Sequence, residues 1–382
     1  MTIELSQPER LLRSSLLKIY TLILYLVRDS SIVIIHTART NKIMSKLHDA
    51  LSLSYDEWIK LLAEELQLPR YRADQICQWI YRKKIFNFAE MTNLSKDLRE
   101  KLSEFIMIIP PMIIKEQVSR DGTRKFLMQL TDGEKIESVL IHHENHTTAC
   151  ISSQAGCQLG CSFCATGISG YARNLTVGEI TGQFLVMEKR FGKDINNAVF
   201  MGMGEPFCNT DNVFSAILAF NNPKMRGLGA RHITVSTSGI VPGITDLADF
   251  EVPIRLSVSL HAPNNDLRSK LMPVNRRHSL ESLMDALRRY QERTGERVTF
   301  EYIMINKVND STDCAYELTS LLHGMSAYVN IIPYNPATEK YGRSSDARIK
   351  EFCGILSKYN VEHEVRREKG TDIDAACGQL RA

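Results

Sequence analysis

Apolar positions along the chain change their spacing twice, and each change predicts a different kind of element. Between residues 54 and 105 they recur at helical intervals. YDEWIKLLAEEL follows a serine that can cap a helix, LPRYRADQICQWIYRKK resumes the pattern after a turn at Pro69, and FNFAEMTNLSKDLREKLSEF adds a further helix with Ser95 at the cap. The segments MIIKEQV, RKFLMQL and KIESVLIHHE then read as strands, with Asp-Gly pairs at 121–122 and 132–133 in the intervening turns, so an antiparallel hairpin connector is expected here. From residue 148 to 367 strand-like runs (TACISS, NAVFMGMG, HITVSTS, PIRLSVSL, VTFEYIMI, YVNIIPY) alternate with helical runs starting at Thr176, Asp211, Ser279, Ser311 and Ser345, and VEHEVRR forms a last extended piece. Alternation of this kind predicts an α/β fold with a parallel sheet, whose strand ends and following loops build the site. Six main strands suit an incomplete, laterally open (β/α)6 barrel better than a closed eight-stranded one.

The chain therefore divides into residues 1–51, an apolar extension; 52–110, a helical accessory module; 111–147, the antiparallel connector; and 148–382, the main domain. In the extension, LLKIYTLILYLV and SIVIIH are separated by Arg28 and Asp29, and neither reaches the roughly 20 apolar residues that span a bilayer. A packing helix, a targeting extension and a translated region upstream of a start at Met44 are all compatible with it.

Composition removes some classes and leaves others open. At 382 residues with a net charge of +3, overall charge gives no argument for nucleic acid, so such a partner has to be read from local patches. One patch is Arg70, Arg72, Arg82, Lys83 and Lys84 with Trp79 and Tyr81 between them; another is Arg268, Lys270, Arg276 and Arg277. Either could grip phosphates or be a solvated face. Nine cysteines, an odd number, do not suit a fully paired secreted framework, and Cys77, Cys208, Cys314 and Cys353 read as small buried residues.

The remaining cysteines carry the chemistry. Cys157, Cys161 and Cys164 crowd three thiols into GCQLGCSFCATG, with Cys150 seven positions upstream. Three thiolates on a four-iron cluster would leave one iron open to a small molecule, whereas a structural zinc would demand a fourth ligand from Cys150, His142, His143 or His146. MGMGEP offers backbone and the Glu205 carboxylate for an amine, but lacks the spacing and lysine of a nucleotide loop. STSG, SLHAP and IPYNP end three further strand-like runs with Ser, His or Asn near the expected opening. Without a G-x-S-x-G elbow, His261 does not make a serine hydrolase. In KGTDIDAACGQL, Cys377 reads as a tail cysteine or as a mobile, glycine-flanked reactive thiol. Glu137, by itself, reads as an exposed strand residue.

CISSQAGCQLGCSFCATG, with Phe163 before the last cysteine, has the signature of the radical S-adenosylmethionine superfamily. Together with LTVGEIT, FMGMGEP, STSG, SVSLHAP, RSKLMPVN and DIDAACGQL, it resembles the bacterial dual-specificity 23S rRNA and tRNA adenosine C2-methyltransferases and their C8-methylating antibiotic-resistance relatives. The resemblance covers residues 52–382, and Pro206 in MGMGEP favours the C2 group. It implies a [4Fe-4S] cluster on Cys157, Cys161 and Cys164, with S-adenosylmethionine held by Gly204, Glu205, Ser236, Ser259, Leu260, His261 and Asn335. It further implies that Cys377 carries a methyl group from a first S-adenosylmethionine, and that a second yields the radical that activates this methyl for addition to adenine. Cys150 would then release the product by disulfide formation, and Glu137 would take the ring proton. Expected partners are 23S rRNA, tRNA and a flavodoxin or ferredoxin, for a cytoplasmic monomer with no membrane partner. A non-catalytic zinc- and RNA-binding module is the competing class.

Overall fold

The computed structural model describes residues 47–382, so the expectations for the apolar stretch before residue 47 lie outside the described residues. A short parallel pair, β1 (His48–Asp49) and β2 (Ile106–Met107), brackets the helical module and brings residues 48–51 into it. Helix Tyr55–Leu66 starts at a full capping box formed by Ser54 and Glu57, and helix Lys96–Phe105 starts at Ser95, whose hydroxyl accepts the Leu98 N–H. Between them helix Tyr71–Cys77 runs on into a wider turn at Gln78–Arg82. Trp58, Leu62, Ile76, Tyr81 and Leu102 fill the interior of this module, together with Leu185, Ala219 and Met225 from the main domain.

The antiparallel strands β3 (Met112–Val118), β4 (Arg124–Gln129) and β5 (Lys135–His142) lead into β6 (Thr147–Cys150). A small hairpin of β7 (Gln154–Gly156) and β8 (Tyr171–Asn174) frames the cysteine loop. The parallel strands follow: β9 (Asn197–Phe200), β10 (Ile233–Thr237), β11 (Arg255–Ser259), β12 (Val298–Met304), β13 (Ala327–Pro333) and β14 (His363–Val365). All but β1, β2, β7 and β8 join one ten-stranded sheet in the order β14-β13-β12-β11-β10-β9-β6-β5-β4-β3. The connector is thus an extension of the main sheet, because β5 pairs with β6 at Val139↔Cys150. VEHEVRR supplies a further parallel strand, β14, on β13. The first and last parallel strands do not meet, and the barrel stays open at the side.

One face of the sheet packs on helices: Phe300, Tyr302 and Met304 of β12 share a core with Phe184, Leu287 and Phe352. The intervening Ile303 packs in a separate cluster with Phe163, Ile332 and Tyr334, as the two-residue period of a strand requires. Helix Val177–Phe191 lies between the two larger cores, giving Phe184 to one and Leu185 to the other. Gly178 and Gly182 allow this approach: a β-carbon on Gly182 would sit 2.5 Å from Pro111, and one on Gly178 would meet the Asp49 carboxylate. No helix among the described residues is long and apolar enough to cross a membrane.

Candidate active site

The three clustered cysteines lie on the loop joining β7 to helix Ala165–Ser169, all half-buried. The loop is fastened at each end. Cys157 N–H donates to Gly170 O at 2.7 Å, and Ser162 N–H donates to Leu271 O at 2.9 Å, where its hydroxyl also meets Tyr341 OH at 2.8 Å. Phe163 turns inward and meets the His261 ring edge-on at 5.0 Å. Burial pushes the Cys157 thiol up to about 12 and Cys161 higher still, the latter also through Cys164 and Cys157. Three thiols whose charged forms oppose one another in a shielded loop fit an iron–sulfur core, whose positive irons offset that repulsion.

The strand ends form a shelf beside this loop. Gly204 has φ +102°, and a β-carbon there would come within 2.6 Å of Gln154, so only glycine fits. Glu205 is buried, and its carboxylate already accepts from Phe207 N–H (3.1 Å), Thr237 Oγ1 (2.7 Å) and Ser238 N–H (2.7 Å). Three of its roughly four acceptor positions are spent, two on the end of β10 and one on its own turn, so an amine held here would rest mainly on backbone carbonyls. Ser236 on β10 lies in register with Ser257 on β11, whose hydroxyl donates to Glu301 Oε1 at 2.8 Å, and Asn330 Nδ2 adds a bond to the same oxygen at 3.0 Å. Among the described residues Glu301 Oε2, Ser153 Oγ and Ser238 Oγ are buried with no partner, and such orphaned acceptors and donors suit a polar cofactor. After Ser259 the Leu260 side chain turns into the core, leaving only its main chain to serve the shelf. His261 adopts φ +58° and accepts the Ile303 N–H on Nδ1 at 3.1 Å. Burial, then Arg268, pushes its imidazole down to about 3, so it is a neutral wedge. Asn335 is buried just beyond β13.

The two predicted reactive cysteines meet in one cavity of about 90 Å³, whose wall includes Cys150, Cys164, Met201, Gly202, Arg366 and Cys377. Cys150 and Cys377 are both free thiols. Burial pushes Cys150 up to about 12, and Cys377 adds to the rise. Arg366 Nη1 donates to Cys377 Sγ at 3.6 Å. Cys377 raises the Arg366 guanidinium above its ordinary value, with Glu301 and Cys150 contributing in the same direction. Arg366 and Glu301 escape a reading of the sequence alone, since the one sits in a run of charges after VEHEV and the other in a strand that looks purely structural.

The segment bearing Cys377 is hydrogen-bonded on both flanks. On one side Gly370 N–H donates to Asp121 Oδ2 (3.0 Å), Ser119 Oγ to Asp372 Oδ1 (2.5 Å) and Lys125 Nζ to Asp374 O (3.2 Å). On the other, Ala165 N–H donates to Gly378 O at 2.7 Å and Thr166 Oγ1 to Leu380 O at 2.6 Å. Glu137 is part of this clamp, not an exposed strand residue. It is buried, its Oε1 lies 3.1 Å from Lys125 Nζ, and its Oε2 accepts Arg381 N–H at 2.7 Å. Alternation along β5 puts Glu137 on the same face as Val139 and Ile141, which line the cavity.

Residues 151–316 match the Radical SAM superfamily, and residues 51–108 match the Ribosomal RNA large subunit methyltransferase N-terminal domain. The chain is 49% identical over 336 residues to a probable dual-specificity RNA methyltransferase RlmN of Thermotoga neapolitana, covering 88% of this chain and 98% of the relative. A protein of the same description from Petrotoga mobilis is 48% identical, over 87% of this chain and 96% of its own. The crystal structure of a radical SAM methyltransferase from Sphaerobacter thermophilus superposes with a TM-score of 0.85 at 44% identity, covering 87% of this chain and 99% of that one. Identity of this extent, over nearly the full length of those relatives and across both the helical module and the cysteine-loop sheet, means that the chain belongs to the RlmN family of radical-SAM RNA methyltransferases.

Proposed function

We propose that this protein methylates C2 of adenosine in 23S rRNA and tRNA through a methyl group carried on Cys377. The observation that carries this reading is the single cavity in which Cys377, Cys150 and the cluster cysteine Cys164 face one another. An aromatic ring carbon is a poor nucleophile, so a carrier thiol next to a radical source answers a need that direct polar transfer does not. Cys157, Cys161 and Cys164 would hold the [4Fe-4S] cluster, with S-adenosylmethionine on the shelf formed by Gly204, Glu205, Ser236, Ser259–His261 and Asn335. When bound, these two groups supply a methyl donor and a hydrogen-abstracting radical.

The chain's own residues do the rest. Arg366 donates to and orients the Cys377 sulfur that accepts the methyl group. Cys150, shielded and protonated at rest, is held back until the enzyme–RNA adduct has formed and has lost the C2 proton and one electron, which the cluster would take back; its thiolate then attacks the Cys377 sulfur, so that the S–S bond forms as the sulfur–methylene bond breaks and the methylene carbon takes up a proton. Glu137, already held by Lys125 on Oε1 and by the Arg381 N–H on Oε2, would take the C2 proton on a remaining lone pair. A flavodoxin or ferredoxin supplies the electron in the cytoplasm, and an external thiol system resets the disulfide.

Two members of the first basic patch are engaged within the protein. Lys84 is turned inward to Asp194 (2.6 Å) and Glu188 (3.5 Å), and Arg82 donates to Pro223 O at 3.1 Å, so both hold the helical module to the main domain. Lys270, Arg276 and Arg277 are exposed beside the cysteine loop's docking point and are better placed for phosphates.

The test is anaerobic reconstitution, methylation of protein-free rRNA and tRNA fragments, and mapping of the methylated atom. Methyl at C2, absent with Cys377→Ala, and a covalent RNA adduct that accumulates with Cys150→Ala, are the expected results. Methyl at C8 would move the protein to the resistance group, and full activity of Cys377→Ala would end the carrier mechanism.

A further inference from the structure

Arg268 is the most deeply buried cation of the site, with no measurable exposure. Its fork is filled by neutral acceptors only. Nε donates to Leu260 O (3.2 Å), Nη1 to Asn275 Oδ1 (2.9 Å), and Nη2 to Ser238 O (2.5 Å) and Ser259 O (3.2 Å). Among the described residues no carboxylate stands within ion-pair distance of it. A guanidinium taken out of water without an anion costs several kcal/mol by general experience, so its retention calls for a reason. A methionine could fill the space but could not bond the carbonyls.

Two features supply that reason. First, the three carbonyls belong to the ends of β10 and β11, the strand ends that carry the expected S-adenosylmethionine contacts. Arg268 is the bolt between them. Second, its own helix, Asn265–Leu271, is where the cysteine loop docks, since Ser162 binds the Leu271 carbonyl by its N–H at 2.9 Å and by its hydroxyl at 3.3 Å. Arg268 thus joins the strand ends of the shelf, through Ser238 O, Ser259 O and Leu260 O, to the helix on which the cysteine loop docks. The guanidinium therefore sits between the two halves of the cofactor site, with its charge uncompensated until something anionic occupies that site.

We propose that Arg268 is a positioning residue with a second, electrostatic role: it fixes the cysteine loop against the S-adenosylmethionine shelf and provides the fixed positive charge that favours reduction of the iron–sulfur cluster. The proposal rests on the cofactor assignment above. A four-iron core with three cysteinates carries one net negative charge and gains a second on reduction, and a buried cation stabilises the doubly charged form more than the singly charged one.

Arg268→Lys and Arg268→Gln separate the two roles, because lysine keeps the charge and loses the planar fork whereas glutamine keeps one donor and loses the charge. Each reconstituted protein is titrated with dithionite under EPR to obtain the cluster's midpoint potential, and S-adenosylmethionine is then added to read its affinity from the change in the reduced spectrum. Arg268→Gln is expected to shift the one-electron equilibrium at least tenfold against reduction, equivalent to ~59 mV. Arg268→Lys is expected to hold the potential inside that margin while binding S-adenosylmethionine roughly tenfold more weakly, the loss of about one hydrogen bond's positioning. Should Arg268→Gln fail to fold, Arg268→Met serves as the neutral variant, with the same expected shift of the potential against reduction. A potential that moves in the lysine variant as far as in the glutamine variant, an unmoved potential in the glutamine variant, or unchanged cofactor binding in the lysine variant overturns it. A parent protein that takes up no cluster would overturn the cofactor assignment itself, and is recognised beforehand by the missing visible absorbance.

Discussion

Cys377 and His261 show how one residue's surroundings decide what it can do. Arg366 touches the Cys377 sulfur at 3.6 Å, so Arg366→Ala should slow loading of the methyl group on Cys377 by about ten- to a hundredfold. Mass spectrometry of the C-terminal peptide after incubation with S-adenosylmethionine checks this without RNA. His261 makes a prediction about pH. Its folded-state value is about 3, against 6.5 for an unhindered imidazole, so the unfolded chain binds the extra proton first as pH falls. Its contribution to stability is complete above pH 6.5 and drains away toward pH 3, at up to ~1.4 kcal/mol per pH unit. Urea unfolding of the cluster-free protein at about pH 7, 6 and 5 should show that slope, and His261→Asn should flatten it. The sequence marks His261 by its place at a strand end, but not its left-handed backbone or its role as a wedge, which depend on Phe163 and Ile303 arriving from other parts of the chain.

Elements whose identity is set by local periodicity are legible in the sequence. The Ser54, Ser95, Thr176, Ser279, Ser311 and Ser345 caps fall where the sequence puts them, and the six main strands follow the six apolar runs. What is not legible depends on pairing between distant segments. The connector joins the main sheet through β5 and β6, and Glu137 is buried because Lys125 and Arg381 come to it from β4 and from the chain's last residues. The basic run RKK looks like a free patch for the same reason, since the anions that claim Lys84 lie more than a hundred positions away. Around Glu188, Arg226 donates by Nη2 at 2.6 Å and Nε at 3.0 Å, while Ile195 N–H adds a bond at 2.8 Å. Glu188→Ala leaves that arginine buried without its partner and should destabilise the protein by about 3–5 kcal/mol. Lys84→Met, at the partly exposed rim of the same node, should cost no more than about 1 kcal/mol. Denaturant midpoints measured on both variants check the contrast.

At the scale of the whole molecule, the described residues from His48 onward form one compact unit, with the helical module packed on the main domain through Leu185, Ala219 and Met225. Substrate grip and chemistry are then separable by charge. Replacing Lys270, Arg276 and Arg277 together by glutamine should leave S-adenosylmethionine binding intact and weaken RNA binding, lowering the slope of log affinity against log salt by roughly 0.7–0.9 for each phosphate that is no longer neutralised. Filter binding at several salt concentrations reads this, and an unchanged slope would place the RNA elsewhere.

The open side of the barrel has a further cost. A sheet that does not close keeps two free margins, and the outer one, β3, exposes Ile114 and Val118. Its defences are a register slip between Ile113 and Lys115 and the charged pair Lys115 and Glu116, the devices that discourage strands of separate molecules from zipping together. Exchanging Lys115 for valine would leave an apolar ribbon at that margin, and the first symptom would be turbidity on storage, long before any change in turnover.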